Sequence, residues 1–323
     1  MVLDLRQEGP RYGHDQPVPF VMGAPPIAIA RFGRSHNGND PSRQPCTAAL
    51  TWVLCNGRTD DMTASAQRPT GAHPGSANLD DAEVERFRRI ASEWWDGKGK
   101  FRPLHQLAPA RMTFVRDELV RHFGLAGAGL KPLAGLTVLD VGCGGGLVSE
   151  PLARMGASVV GLDPGRENVE AARAHAAGQT VADGGPLNLT YRIGTIEDLA
   201  AEGQTFDAVV SLEVVEHVPD VALFLKTCAS LVRPGGAMVL STINRNLKSY
   251  ALAIVAAEYV LGWLPRGTHQ WERFVTPDEL ARYVMAAGMS PPSFKGLAYD
   301  PLKDTWSLSD DTDVNYLAIA GKA

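Results

Sequence analysis

Cysteine, net positive charge and long apolar runs are all scarce in this chain, and each shortage excludes a class of protein. The four cysteines (46, 55, 143 and 228) show no C-x-x-C spacing and no disulfide framework, which suits a reducing cytosol. Lysine and arginine total 31 against 36 aspartates and glutamates, a net charge of −5. No global basic field therefore points to nucleic acid. No uncharged run reaches the ~20 apolar residues that span a bilayer. Residues 1–20 carry Asp4, Glu8 and Asp15 where a secretory leader would have an apolar core. The expectation is a cytoplasmic protein with no membrane span. At 323 residues and 45% hydrophobic, it has ample material for a core.

Glycine is plentiful, and its placement is informative. Val138, Leu139 and Val141 read as a short buried strand with Asp140 near its end. Glycines follow at 142, 144, 145 and 146, and an apolar helical pattern resumes with Leu147, Val148, Leu152 and Met155. Strand, glycine turn and helix make a nucleotide-binding βα unit, because glycine lets the backbone approach a ligand and turn sharply. Four glycines in five residues cost backbone entropy, which argues against a turn with no ligand. Asp163 ends the next strand-like run, roughly 20 residues on, where an acid can accept hydrogen bonds from ribose hydroxyls. A dinucleotide turn needs a small residue at 147; Leu147 stands there and disfavours a nicotinamide oxidoreductase. The pattern Asp140-x-Gly142-x-Gly144-x-Gly146 instead resembles motif I of class I S-adenosylmethionine (SAM) methyltransferases. That resemblance implies a methionine portion over the glycines and a ribose against Asp163. Cys143, inside the loop, reads as a small tolerated residue and not as a nucleophile.

The chain divides near residue 79. Residues 1–79 are punctuated by Pro, Gly, Ser and Asn without a sustained period, so a disordered or loosely attached extension is expected. Residues 1–61 are expected to lack function, because Met62 offers a natural start. Residues 80–323 read as one domain. Asn78 or Asp80 can cap a helix with an acidic first turn, and Val84, Phe87, Ile90, Ala91 and Trp94 then fall at helical spacing. An irregular stretch from Phe101 to Arg111 leads to a helix over 112–123, and together 80–130 form a helical cap. Strands are expected near 137–141, 158–163, 188–193, 206–212 and 237–242, alternating with helices near 147–155, 166–177 and 220–232. Two late strands, at 292–299 and 313–319, bring the sheet to seven, the last antiparallel. The fold class is α/β, a doubly wound, mostly parallel sheet with ligands outside the carboxyl ends of its strands.

The strand at 206–212 delivers Leu212 and then Glu213, Glu216 and His217 to that ligand face. On one helical turn the three would share a face at i, i+3 and i+4. Two carboxylates and an imidazole suit a divalent metal such as magnesium. Alternatively His217, with an unperturbed pKa of ~6.5, serves as a general base with Glu216 beside it. A third reading has Glu216 and His217 capping the next helix. Residues 250–264 are nearly apolar, carry Tyr259 and Trp263, and are flanked by Arg245, Lys248 and Arg266. Within an insertion at 248–270, that suits an interfacial helix on a membrane surface as well as it suits a core or dimer-interface helix.

Several stretches together resemble the bacterial ubiquinone-biosynthesis O-methyltransferases. They are Ala91-Ser-Glu-Trp-Trp-Asp96, Phe101-x-Pro-Leu-His105, Pro109-x-Arg111, Leu139 through Gly146, Glu213-x-x-Glu-His-Val-Pro219, Ser241-Thr-x-Asn-Arg-Asn246, Gly267-Thr-His269 and Asp313-Val-Asn-Tyr316. The resemblance runs from about Asp80 to the C-terminus. It implies methyl transfer from SAM to phenolic oxygens of polyprenylated phenols or quinols. The location it implies is peripheral, at the inner membrane, with other ubiquinone-biosynthesis enzymes as partners. By motif matching, Arg111, Asp140, Gly142, Gly144, Asp163 and Leu212 would bind SAM, and Glu213, Glu216 and His217 match positions proposed to hold a metal in relatives. The rivals are a methyltransferase for another small phenol, a nicotinamide oxidoreductase and a non-enzymatic membrane-binding module.

Overall fold

The computed structural model describes residues 78–181, 184–251 and 270–323. Nearly all of the expected N-terminal extension, and the heart of the expected apolar insertion at 248–270, lie outside these residues. What is described belongs to one unit, residues 66–323.

The cap is built from two helices. Asp80 caps α1 (Asp81–Arg88) by accepting from the amides of Ala82 and Glu83. The helix ends sooner than its apolar spacing predicts, and Ala91–Glu93 form a separate 3-10 turn. By contrast α2 (Arg102–Phe123) is longer than expected and runs through the stretch read as irregular, Pro109 included. Its buried face of Leu107, Ala110, Phe114, Val115 and Leu119 packs into the core. That packing outweighs the roughly 3 kcal/mol an internal proline costs a helix.

Five parallel strands follow: β1 (Thr137–Val141), β2 (Ser158–Asp163), β3 (Leu189–Ile193), β4 (Phe206–Leu212) and β5 (Val232–Ile243). They alternate with α3 (Ser149–Arg154), α4 (Arg166–Ala176), α5 (Ile196–Ala201) and α6 (Val221–Leu231). A one-turn α7 (Leu247–Ser249) and then α8 (Pro277–Ala286) precede the last strands, β6 (Ser293–Asp300), β7 (Thr305–Ser309) and β8 (Asn315–Gly321). The sheet order is β3-β2-β1-β4-β5-β8-β6-β7. The expected seven strands are therefore eight, and the addition is the edge strand β7, hairpinned on β6. β8 runs antiparallel to both β5 and β6, as expected of the last strand. The Arg233-Pro-Gly-Gly236 stretch bulges β5, whose register on β4 shifts between Phe206 and Ala208.

Val138, Leu139, Val209 and Val210 are fully buried on neighbouring strands, each contributing about 1.5–3 kcal/mol through apolar burial. From β1 the chain winds outward to β3 and returns to place β4 on the other side of β1. This reversal opens a crevice at the carboxyl ends of β1 and β4, where such sheets bind ligands.

Candidate active site

A cavity of about 1000 Å³ opens at that crevice. The glycine turn after β1 forms one wall. Gly142 has φ +71°, and a Cβ there would sit 2.5 Å from Val214 Cγ2. Gly144 has φ +51°, and its Cβ would meet the Trp94 ring at 2.4 Å. Any other residue at either position would be strained and would clash.

Two buried acids support this turn. Asp163, ending β2, accepts from the Gly144 amide (3.0 Å), the Gly165 amide (2.8 Å) and Asn168 Nδ2 (3.0 Å). Burial raises its pKa, and these three donors oppose the rise. Asp140 accepts from Ser149 Oγ at 2.5 Å. Burial pushes its carboxyl up to about 7, the Asp163 charge adding to the effect and the Ser149 hydroxyl resisting it. Burial also pushes the Cys143 thiol well up, which fits a tolerated small residue in place of a nucleophile.

The tandem tryptophans dock the cap onto this turn. Trp94 Nε1 donates to Asn168 Oδ1 at 2.9 Å while its ring stacks on Phe101, and Trp95 Nε1 donates to the Gly145 carbonyl at 3.0 Å. Asn168 thus links Trp94 to Asp163. Sequence reading missed it; the signal was a polar side chain beside Val169 and Ala172 on the face of α4 that the fold buries.

Across the cavity, Leu212 ends β4 and the chain turns sharply. Glu213 adopts φ +57°, outside the 3-10 turn that holds Glu216 and His217. The expected shared helical face for all three is therefore not formed. A salt bridge of 3.0 Å joins the Glu213 carboxylate to Arg111 on α2, and Ser241 Oγ donates to the same oxygen at 2.7 Å. Arg111 is buried, and its Nε has no hydrogen-bond partner. Glu216 accepts from Thr242 Oγ1 at 2.7 Å through Oε2, while Oε1 is buried without a partner. Burial and the nearby Glu213 charge raise its pKa to about 7 against the opposing pull of His217. His217 Nδ1 lies 3.0 Å from Glu83 Oε2 on α1, a residue that sequence reading treated only as a first-turn helix acid. Burial pushes the Glu83 carboxyl up, but its bond to His217 and the His217 and Arg86 charges hold it below the usual range. Among the described residues no three His, Cys, Asp or Glu side chains gather as a metal-holding group.

The Ser241-Thr-x-Asn-Arg-Asn246 stretch thereby acquires a physical account. Ser241 and Thr242, side by side on β5, each hold one carboxylate of the loop after β4. Asn244 and Asn246 donate to the Thr312 and Asp313 carbonyls, and Arg245 donates to the Phe274 carbonyl. Asp313-Val-Asn-Tyr316 supplies the other side of the clamp, with Tyr316 Oη donating to the Val275 carbonyl at 2.8 Å.

A reversing parallel sheet, an acid-backed glycine turn and a polar group set facing it across one cavity define an α/β methyltransferase. In agreement, the family described as "Methyltransferase domain" matches residues 109–291. Over 248 residues the chain is 52% identical to the ubiquinone biosynthesis O-methyltransferase of Azorhizobium caulinodans, covering 77% of this chain and 96% of that one. The protein of the same name from Parvibaculum lavamentivorans is 50% identical over 247 residues, 76% of this chain and 95% of its own. The chain belongs to the ubiquinone biosynthesis O-methyltransferase family. Among solved structures, the magnesium protoporphyrin IX methyltransferase of Synechocystis PCC 6803 with bound SAH matches at TM-score 0.51 and 21% identity, over 75% of this chain and 95% of that one. A possible histamine N-methyltransferase of Thermotoga maritima matches at TM-score 0.51 and 16% identity, over 74% of this chain and 99% of its own. Both are likenesses of fold.

Proposed function

We propose that this protein methylates phenolic hydroxyls of polyprenylated quinol intermediates in ubiquinone biosynthesis, with SAM as methyl donor and His217 as general base. The observation that carries the reading is one cavity lined by both the glycine turn with Asp163 and the Glu213–His217 loop. Family membership supports the substrate class. SAM fits the residues present: the glycine turn brings bare backbone to the cavity wall, Asp163 has one lone-pair site left after its three donors, and the orphaned Nε of Arg111 suits the ligand's carboxylate. SAM supplies an electrophilic methyl group on a sulfonium. The chain must deprotonate a phenol of pKa ~10, align its oxygen with the methyl, and keep water out while opposite charges cancel. His217 is placed to take the proton. Glu216 sits beside it in the pocket, and Leu212 and Val214 line the wall.

A divalent cation such as magnesium is a second reading, favoured by the unpartnered Glu216 Oε1. As placed, however, the donors are turned to other partners, Arg111 holding Glu213 and Glu83 holding His217, so no step is routed through a metal. A bound cation would supply Lewis-acid activation of the phenolic oxygen. The test is methyl transfer from labelled SAM to a short-chain demethylubiquinol, with and without chelator. Chelator-resistant transfer is expected. Loss with chelator and recovery with magnesium would move Glu213, Glu216 and His217 to metal ligation, and no transfer despite SAM binding would point to another small phenol. A thermal shift by NAD but not SAM would revive the oxidoreductase.

The proposed location is the cytoplasmic surface of the inner membrane, among other ubiquinone-biosynthesis enzymes. No helix among the described residues is long and apolar enough to cross a membrane. The contact proposed for 248–270 rests on its composition, since 252–269 lie outside the described residues. Deleting 250–264 should impair liposome binding and spare SAM binding; unchanged liposome association would refute it. Removing residues 1–61 should leave activity and stability as they were, and lower values of either would show that the extension is needed.

A further inference from the structure

The cap helix α1 is anchored at both ends. Asp80 pairs with Arg273 at 2.9 Å, and Arg88 makes two hydrogen bonds, 2.5 and 2.6 Å, to Glu167 on α4. Between these anchors Glu83 is turned inward and is only 9% exposed, whereas Asp81 on the same turn faces solvent. Glu83 Oε2 lies 3.0 Å from His217 Nδ1, and Phe87, one turn further on, packs edge-on against the imidazole with centroids 5.4 Å apart. Arg86 pairs with the same carboxylate oxygen and holds it in place.

A carboxylate can only accept, so its partner nitrogen must carry the proton. Neutral imidazole then presents its other nitrogen as an acceptor. His217 lines the cavity, and its Nε2 has no hydrogen-bond partner among the described residues.

We propose that Glu83 is a positioning residue for methyl transfer: it fixes His217 as the Nδ1–H tautomer and leaves Nε2 free to take the acceptor's phenolic proton. The inference rests on the reading of His217 as base. In the step, the phenolic O–H bond breaks and an Nε2–H bond forms. The oxygen lone pair makes the new O–CH3 bond, and the C–S electron pair stays on sulfur. The imidazolium returns its proton to water. The cap is thus more than a cover, because the base is correctly arranged only when α1 is docked.

The experiment compares His217→Ala, Glu83→Ala, Glu83→Gln and the exposed control Asp81→Ala on two acceptors. One is a short-chain demethylubiquinol; the other is an analogue whose ring substituents ionise the phenol at the assay pH. On the protonated acceptor, His217→Ala and Glu83→Ala should each lower kcat by about 10²-fold, the usual worth of a positioned base. SAM affinity should stay within about twofold, and the double variant should be no worse than His217→Ala, since residues acting as a unit are not additive. Glu83→Gln should recover part of the loss, because its amide oxygen still accepts from Nδ1–H. On the pre-ionised acceptor the defects should largely vanish. Equal loss on both acceptors, or a fully active Glu83→Ala beside an impaired His217→Ala, would overturn the inference. A fully active His217→Ala would instead overturn the base reading beneath it. If Glu83→Ala does not fold, the isosteric Glu83→Gln, with nitrogen NMR of the His217 tautomer, carries the same test; a wild-type ring protonated at Nε2 would refute it.

Discussion

At the glycine-turn end of the cavity, Asp163 accepts three N–H groups and Asp140 accepts a hydroxyl. At the other end, Glu216 keeps a buried oxygen without a partner, and between the two ends Arg111 keeps a buried Nε without one. The first end is held by two backbone amides and by side chains of α3 and α4, with Trp94 and Trp95 of the cap packed against it. The second is held by side chains from α1, α2, the loop after β4, and β5, so it depends on the cap being docked. On the proposed reading, the donor end has its acids already partnered within the fold, while the acceptor end carries charge and unmet bonding capacity that an incoming ligand can satisfy. Buried polar groups left unsatisfied cost free energy, and such exceptions fit groups that bind a ligand.

The sharpest way to break this contrast is at Asp163. Asp163→Ala removes the acceptor of two turn amides and of Asn168 together with the proposed ribose contact. At about 1.5–3 kcal/mol per hydrogen bond to a charged group, SAM affinity should fall by ~100-fold or more. Isothermal titration would measure it, and unchanged affinity would detach the glycine turn from donor binding. Arg111 tests where the boundary between the ends lies. Arg111→Gln should weaken SAM by about tenfold or more through loss of a charge-assisted pair. A change confined to the acceptor's KM would place Arg111 with Glu213 at the acceptor end. Thr242→Val, a near-isosteric change, takes the last hydrogen bond from Glu216 and should cost about 1–3 kcal/mol of stability. An unchanged melting temperature would mean that Glu216 is less constrained than its burial implies.

Much of this was legible in the residues. The order of β1 to β5, the glycine turn and the arrival of Glu213, Glu216 and His217 after β4 follow from local apolar runs, and the parallel sheet follows from their alternation with helices. What escaped were long-range pairings. Glu83 lies 134 residues from His217, and as an acid in a helix's first turn it had a sufficient local explanation. The continuation of α2 through Pro109 depends on tertiary packing that a propensity scale does not contain. β7 was missed although Thr305-Trp-Ser-Leu-Ser309 alternates; two partly buried residues, Trp306 and Leu308, are a weak signal until β6 and α2 stand beside them. The positive φ of Glu213 had no precursor in its residue type.

Asp140 is the residue that sets stability against binding. Its carboxyl is pushed up from 3.8 to about 7 in the folded chain, so the folded state binds a proton that the unfolded state has already released. Below pH 4 the group is largely protonated in both states and costs little. Between about 4 and 7 the folded state loses stability as pH rises, and above 7 the full penalty is in place. Asp140→Asn removes that penalty and keeps an oxygen that can accept from Ser149 Oγ. The variant without ligand should therefore be more stable than the parent at pH 8, by at most a few kcal/mol, with the gain shrinking toward pH 4. SAM affinity should fall at the same time, because the variant no longer presents a negative charge to a cationic sulfonium. Thermal denaturation at several pH values, with and without SAM, separates the two effects. A gain independent of pH would show that Asp140 does not titrate as its burial requires, and the contrast between the two ends would then rest on Asp163 alone.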